Sequence, residues 1–295
     1  MKLTRLMVLA SLATACGAPV TAGLNDGTTS PARASEIPVQ PGKPVVLAAA
    51  GDIAAGGSGD AQTAALIERL RPTKVLTLGD NQYPDGAYQD FLSEYDPSWG
   101  LFLPKTLPTP GNHDCYTSAC AGYFRYFGAA AGTGRYAVVL GRWLIISANS
   151  AGDVVAEAEF VRTTLADDAH TCQLVAWHHP RWSSGKHGSQ AFTDPLWRAS
   201  TAGGADVVLN GHDHVYERFA LLNDTGGTVG GRTREFVVGT GGASHYSLGT
   251  PLPGSERQIE GVFGVLQMEL QASSYSWSFH STGGTILDEG STSCR

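Results

Sequence analysis

Short apolar runs that stop at a glycine, an acid or a histidine recur along the first two-thirds of this chain. Val45 to Ala50 leads into Gly51-Asp52, and Lys74 to Leu78 leads into Gly79-Asp80. Gln173 to Trp177 leads into His178-His179-Pro180, and Asp206 to Asn210 leads into Gly211-His212-Asp213-His214. Continuous runs of this length, without polar alternation, predict strands buried on both faces. Between them the period changes. Ala61 to Leu70 has helical spacing with Asp60 as its N-cap, and Val154 to Ala166 has helical spacing again. Gln190 to Thr201 predicts a helix that Pro195 confines to its C-terminal part. Tyr136 to Leu140 and Arg142 to Ser147 predict a hairpin, whereas residues 92–108 read as irregular. From Val215 onward the pattern turns to strands with Gly-rich turns, at Tyr216–Leu222, Arg234–Val238, Val262–Leu270 and Tyr275–His280. Strands alternating with helices and then a run of strands predict an α/β fold. The expected form is a four-layer α/β/β/α sandwich, two mixed sheets flanked by helices. There is no internal repeat and no sign of a second domain, so residues 44–295 are read as one domain.

The segment before residue 44 has a different character. Residues 1–15 resemble a signal peptide: Lys2 and Arg5, an apolar run from Leu6 to Leu12, then Ala13-Thr14-Ala15. The run is too short to span a bilayer. Cys16 follows directly, and Leu12 to Cys16 resembles a bacterial lipobox, which implies a lipid-anchored Cys16; simple secretion is the other reading. Residues 16–43, rich in Gly, Pro, Ser, Thr and Ala, read as a flexible tether. The formal net charge is −7. Removing Lys2 and Arg5 with residues 1–15 makes it −7 − 2 = −9. So acidic a chain disfavours nonspecific nucleic-acid binding, and an anionic ligand needs local positive charge. Of the 5 cysteines, Cys115, Cys120, Cys172 and Cys294 remain beside Cys16. In the oxidising compartment that export implies, four cysteines pair in three ways. Cys115–Cys120 with Cys172–Cys294 is the first choice, and free buried thiols are the alternative.

Export leaves the chemistry open, and the strand ends supply it. Asp52, Asp80, His178, and the pair His212 and His214 each follow a buried strand, and the loop Thr109 to Asp114 adds Asn112 and His113. The carboxyl ends of strands are where α/β folds place their sites. A lone His-x-His or strand-end acid is more often structural. Five separate segments repeating the arrangement are hard to reach by chance.

Taken in order, Gly51-Asp52, Gly79-Asp80-Asn81-Gln82-Tyr83, Gly111-Asn112-His113-Asp114, Val175 to His178 and Gly211 to His214 resemble the calcineurin-like metallophosphoesterases. The likeness is greatest to the purple acid phosphatase branch, in its small single-domain form. Many of these enzymes carry Asp-x-His in the first motif, and Ala54 stands in place of that histidine. The branch instead takes a tyrosine from the second motif, and Tyr83 stands there. It also has glycine where this chain has Ala54. The stretch His214 to Arg218 and the turn Gly239-Thr240-Gly241-Gly242 are similar to the branch too.

The resemblance implies two metal ions. Asp52, Asp80, Tyr83 and His214 would hold the first, Asp80 would bridge, and Asn112, His178 and His212 would complete the second. Carboxylates and a phenolate suit Fe(III), and the other set suits Zn, Mn or Fe(II). The implied reaction is hydrolysis of a phosphate monoester by attack of a metal-bound hydroxide on phosphorus. His113 would serve as general acid or phosphate ligand, oriented by Asp114, and His187 as a second substrate-side histidine. His179 reads as packing behind the ligands, and His245 as a surface or structural residue, with approach to the cleft as the alternative because it follows the glycine-rich turn. Three alternatives stand: a phosphodiesterase or nucleotidase on the same site, a noncatalytic metal- or phosphate-binding surface protein, and a dinuclear metallopeptidase. The implied partner is a small phosphate ester. Membrane attachment would run through Cys16, and the oligomeric state is not legible in the sequence.

Overall fold

The computed structural model describes residues 34–39 and 44–294. The signal segment, most of the tether and Cys16 lie outside the described residues, as does Arg295. Among the described residues, fourteen strands form two sheets. The first runs β1 (Ser35–Ile37), β5 (Tyr136–Leu140), β6 (Trp143–Ser147), β7 (Cys172–Ala176), β8 (Val207–Asn210), β10 (Thr233–Val238), β9 (Tyr216–Leu222), β11 (Ser255–Ile259). The second runs β14 (Ile286–Ser293), β13 (Ser274–Ser281), β12 (Gly264–Leu270), β2 (Val45–Ala50), β3 (Lys74–Thr77), β4 (Thr106–Leu107). In the first sheet β6, β7, β8 and β10 are parallel neighbours, and in the second β2, β3 and β4 are. The late strands β12, β13 and β14 pair antiparallel, as expected of a meander.

Side-chain alternation along the first sheet shows why its strands are apolar throughout. Ile145, Leu174, Leu209 and Phe236 face the core shared with the second sheet. Their neighbours Leu144, Ile146, Val175, Val208 and Val237 face a second core under two helices. Those helices are α4 (Val154–Ala166), through Val161 and Leu165, and α5 (Asp194–Gly203), through Leu196 and Trp197. On the far side α1 (Gly59–Leu70) packs Ala64, Leu66 and Ile67 into the shared core, next to β12. A strand covered on both faces has no polar face to present, so period-2 alternation disappears from its sequence. Asp153 caps α4, accepting from the backbone N–H of Val155 and Ala156 at 3.1 and 3.2 Å. Pro195 sits in the first turn of α5, where its missing N–H costs nothing.

The structure differs from the sequence reading at several points. Ser35 to Ile37, assigned to the tether, pair parallel with β5 as an edge strand. Asp60 is not the cap of α1. Ser58 holds that position, and Asp60 lies buried in the first turn, where a carboxylate complements the helix dipole. Residues 92–108, read as irregular, lie largely in short helical turns that begin just before them: α2 (Tyr88–Asp90), a π turn (Phe91–Tyr95) and a 3-10 stretch (Trp99–Lys105). A further helix, α3 (Ala121–Phe127), and the strands β4, β11 and β14 carry too little apolar pattern to be legible. β14 reads Ile-Leu-Asp-Glu-Gly-Ser-Thr-Ser and lies half exposed at a sheet edge.

Candidate metal centre

The parallel strands of both sheets deliver their C-terminal residues to one place. β2 ends at Asp52, β3 at Asp80, β4 at the loop of Asn112 and His113, β7 at His178, and β8 at His212 and His214. The backbone turns hard at these ends. Asp52, Asp80 and His212 all have positive φ, at 60°, 48° and 72°. Residues with a Cβ hold this conformation only where their surroundings enforce it, and such positions concentrate at functional sites. The glycine beside Asp80 across the cleft is equally constrained: a Cβ on Gly111 would lie 2.2 Å from the Asp80 backbone nitrogen.

The side chains converge in two groups that share one oxygen. The Tyr83 hydroxyl lies 2.9 Å from Asp52 Oδ1, 3.1 Å from Asp80 Oδ2 and 3.2 Å from His214 Nε2. His214 Nε2 is 3.3 Å from Asp52 Oδ1. On the other side, His178 Nε2 lies 3.2 Å from the same Asp80 Oδ2, and His113 Nε2 lies 4.0 Å from it. The His212 ring centroid is 5.1 Å from that of His178. Asn112 Nδ2 donates to the Tyr116 hydroxyl at 2.8 Å, which leaves Asn112 Oδ1 buried with no hydrogen-bond partner. His178 Nε2 is likewise buried, facing Asp80 Oδ2 without a well-aligned hydrogen bond.

The histidines are oriented from behind. His178 Nδ1 meets the Leu78 carbonyl at 2.8 Å, His113 Nδ1 meets the Pro84 carbonyl at 2.5 Å, and His214 Nδ1 meets the Ser244 carbonyl. A carbonyl only accepts, so each Nδ1 carries a proton and each Nε2 is turned toward the cleft. Burial lowers His178, but the Asp80 and Asp52 carboxylates outweigh it and raise the ring to about 9. Backbone N–H groups steer the acids: His212 N donates to Asp52 Oδ2 and His113 N to Asp80 Oδ1, both at 2.8 Å. The glycine-rich turn supports Asp52 from below, with Gly241 N donating to the Gly51 carbonyl at 2.8 Å and Ala243 N to the Asp52 carbonyl at 2.9 Å. The Ala54 carbonyl accepts from Tyr83 N at 2.9 Å and so helps set that residue.

One sequence assignment is corrected. Asp114 does not orient the His113 ring. It is fully buried, and its carboxylate accepts from Asn81 N, Asn81 Nδ2, Gln82 N and Gly111 N at 2.8 to 3.2 Å. It ties the Asp80 loop to the Asn112 loop, and the Pro84 carbonyl does the orienting. His245 stays at the surface, beside the cleft rather than in it. Its ring lies against Phe263, with centroids 4.1 Å apart, and the next residue takes the place: the Tyr246 ring stacks on His214 at 3.9 Å and 7°. Position in sequence does not distinguish Tyr246 from His245, and no sequence signal singled it out.

Electrostatics follow from burial and mutual proximity. Burial alone would raise the Asp80 carboxyl, but His178 and His113 outweigh it and hold the group well below the usual range. Burial, then the charges of Asp52 and Asp80, push the Tyr83 phenol well up. Burial and the neighbouring histidines depress His212 to about 2, so it stays neutral with a free lone pair.

The last part of the site is a loop, residues 181–190. The His187 ring reaches His212, with centroids 4.5 Å apart. Buried acids hold the loop there. Asp213 accepts from His187 N at 2.7 Å and Ser183 Oγ at 2.6 Å, and Glu217 accepts from Ser184 N at 2.7 Å and Ser184 Oγ at 2.6 Å. Glu235 Oε1 accepts from Arg181 N and Trp182 N at 3.0 and 3.2 Å. His179 is buried behind the histidines, its Nδ1 2.8 Å from Ser150 Oγ and its ring 4.4 Å from that of His212.

The residues present fit a pair of metal ions. Asn112 Oδ1 is a buried lone-pair atom with no hydrogen-bond partner, a costly burial unless a cation joins it, and His178 Nε2 points at the shared Asp80 oxygen beside it. Asp80 Oδ2 is shared between an oxygen-rich group and an imidazole group, which is the chemistry of two unlike cations.

Comparisons with known proteins place this geometry. A family model described as calcineurin-like phosphoesterase matches residues 36–216. Among solved structures, the purple acid phosphatase PPD1 of yellow lupin (Lupinus luteus) matches 84% of this chain and 53% of its own, with 18% identity and a TM-score of 0.65. The chain thus spans about half the length of that enzyme. GAP50, the anchor in the inner membrane complex of Plasmodium, matches 86% of this chain and 90% of its own, with 15% identity and a TM-score of 0.66. PhoD matches 89% of this chain and 70% of its own, with 10% identity and a TM-score of 0.59. At these identities the structural matches speak to the fold alone. No curated protein sequence matches significantly.

Proposed function

Because the chain belongs to the calcineurin-like phosphoesterase family, whose model covers more than half of it, we propose that it hydrolyses phosphate monoesters at a dinuclear metal centre. The observation that carries the reading is Asp80 Oδ2, which faces Tyr83 at 3.1 Å on one side and His178 at 3.2 Å on the other. One metal would be held by Asp52, Asp80, Tyr83 and His214, and the other by Asp80, Asn112, His178 and His212. The hard donors around Tyr83 favour Fe(III) there, and the second set favours Zn, Mn or Fe(II). Bound metals would supply Lewis-acid activation of water and offset the charge of the phosphate.

The remaining steps belong to the chain itself. His113, with Nδ1–H fixed on the Pro84 carbonyl, presents Nε2 to the cleft. Protonated there, it gives its proton to the leaving oxygen as the ester bond breaks. His187, beside His212, supplies a second donor for a phosphate oxygen. A donor at His187 beside the metal side suits the three free oxygens and double charge of a monoester better than the two oxygens and single charge of a diester. The disulfides Cys115–Cys120 and Cys172–Cys294 support action in an exported, oxidising location, as a secreted or Cys16-anchored protein.

The test pairs metal analysis with turnover. Purified protein should carry close to two metal ions per chain and hydrolyse a monoester far faster than the matching diester. Chelation should abolish the activity, and Asp80→Asn should lower kcat/KM by about 100-fold or more. Metal content with no ester hydrolysis would favour the noncatalytic binding protein instead.

A further inference from the structure

Beside the metal centre lies an open pocket of about 540 Å³, lined by Gly185, Lys186 and residues 245–249. That volume falls within the roughly 300–1,000 Å³ of small-molecule sites. Its floor is Tyr246. One face of this ring is covered by His214, parallel to it at 3.9 Å. The Lys186 ammonium sits 4.7 Å from the ring centre. With His214 on the first face, Lys186 must lie over the second, which faces the pocket. The Tyr246 ring is also 5.2 Å from that of His187, so the pocket opens directly beside the substrate-side histidine. Lys186 is exposed and has no acidic partner among the described residues, unlike the nearby Arg181, which pairs with Asp194 at 3.0 Å. A free cation beside a half-buried aromatic face is a recognition element for a planar anion.

We propose that this pocket is the leaving-group subsite, and that it takes an aromatic ring bearing a second anionic group, the ring laid on Tyr246 and the anion held by Lys186. The inference rests on the phosphoesterase reading and narrows its substrate class. The phosphate takes the metal side, the ester oxygen points toward His113 and His187, and the alcohol portion reaches Tyr246. The flexible lysine stem swings off the ring as its ammonium takes the anion. Binding energy from this remote part of the substrate raises kcat/KM without touching the reacting atoms.

Three esters separate the contributions: glycerol phosphate, phenyl phosphate and 4-carboxyphenyl phosphate, each measured with the metal-loaded wild type, Tyr246→Leu and Lys186→Ala. Tyr246→Leu should lower kcat/KM for the two phenyl esters about fivefold more than for glycerol phosphate. Lys186→Ala should cut the ratio of 4-carboxyphenyl to phenyl phosphate by about fivefold, and added salt should shrink that loss. Equal losses on all three esters in both variants would overturn the subsite and leave Tyr246 as packing for His214. No turnover of any ester by the wild type would instead overturn the phosphoesterase reading itself.

Discussion

Asp213, the residue between the two cleft histidines His212 and His214, accepts a 2.7 Å hydrogen bond from the backbone N–H of His187. The pair couples the end of β8 to a loop 26 residues away in sequence. Asp213 is fully buried and also accepts from Ser183 Oγ, so it is the loop's anchor rather than a surface charge. Asp213→Ala removes both acceptors at once. We expect kcat/KM to fall about 10- to 100-fold through displacement of His187, with metal content retained. Metal analysis beside steady-state kinetics checks this, and lost metal would show that Asp213 instead shapes the ligand histidines.

Tyr83 offers a spectroscopic prediction. If iron occupies the site where Tyr83 meets Asp52 and His214, the protein should absorb visible light through an Fe(III)–phenolate band. Tyr83→Phe should abolish that band and weaken metal retention by about 10-fold or more. A colourless wild type with metal-dependent turnover would keep the reaction and remove iron from it.

The disulfide Cys172–Cys294 joins the start of β7 in one sheet to the chain end beyond β14 in the other, across a separation of 122 residues. Cross-linking so long a loop restricts the unfolded chain, so the Cys172→Ala, Cys294→Ala double variant should lose about 3–5 kcal/mol. Cys115–Cys120 closes a loop of only 5 residues and should contribute less. Denaturant unfolding of the two double variants compares them.

Glu235 predicts a pH dependence of stability. Burial raises its carboxyl well above 4.5, against the pull of the Trp182 and Arg181 N–H groups, and its Oε2 has no hydrogen-bond partner. An acid whose folded pKa is raised holds its proton longer folded than unfolded. Its contribution is therefore most favourable below 4.5 and is lost as pH rises toward the folded value. Glu235→Gln keeps the acceptor for both N–H groups and removes the ionisation. The variant should gain stability on the wild type as pH rises from 5 to 8, by about 1–3 kcal/mol at the upper end. Melting curves across that range would refute this if the gap stayed constant.

Much of this protein was determined by its sequence alone. A strand buried on both faces must be apolar along its length, so β2, β3, β7 and β8 announced themselves, and the residues after them had to be the chemical ones. As candidate ligands, Asp52, Asp80, His178, His212 and His214 were legible because each follows such a strand, whereas Asn112 was read from a loop and Tyr83 from the family resemblance. The cysteine pairing favoured from spacing is the pairing observed. Edge elements were not legible. Ser35 to Ile37 and β14 gain their hydrogen bonds from a neighbour and bury little, so no hydrophobic pattern marks them. Roles that depend on direction were decided only by the tertiary structure. Asp114 stands next to His113 in sequence, yet its carboxylate turns to four N–H and amide donors of the Asp80 and Asn112 loops. His245 and Tyr246 are adjacent, and the backbone alone chose which ring meets His214. A sequence records which groups follow a strand, but the contacts between loops fix where each side chain points.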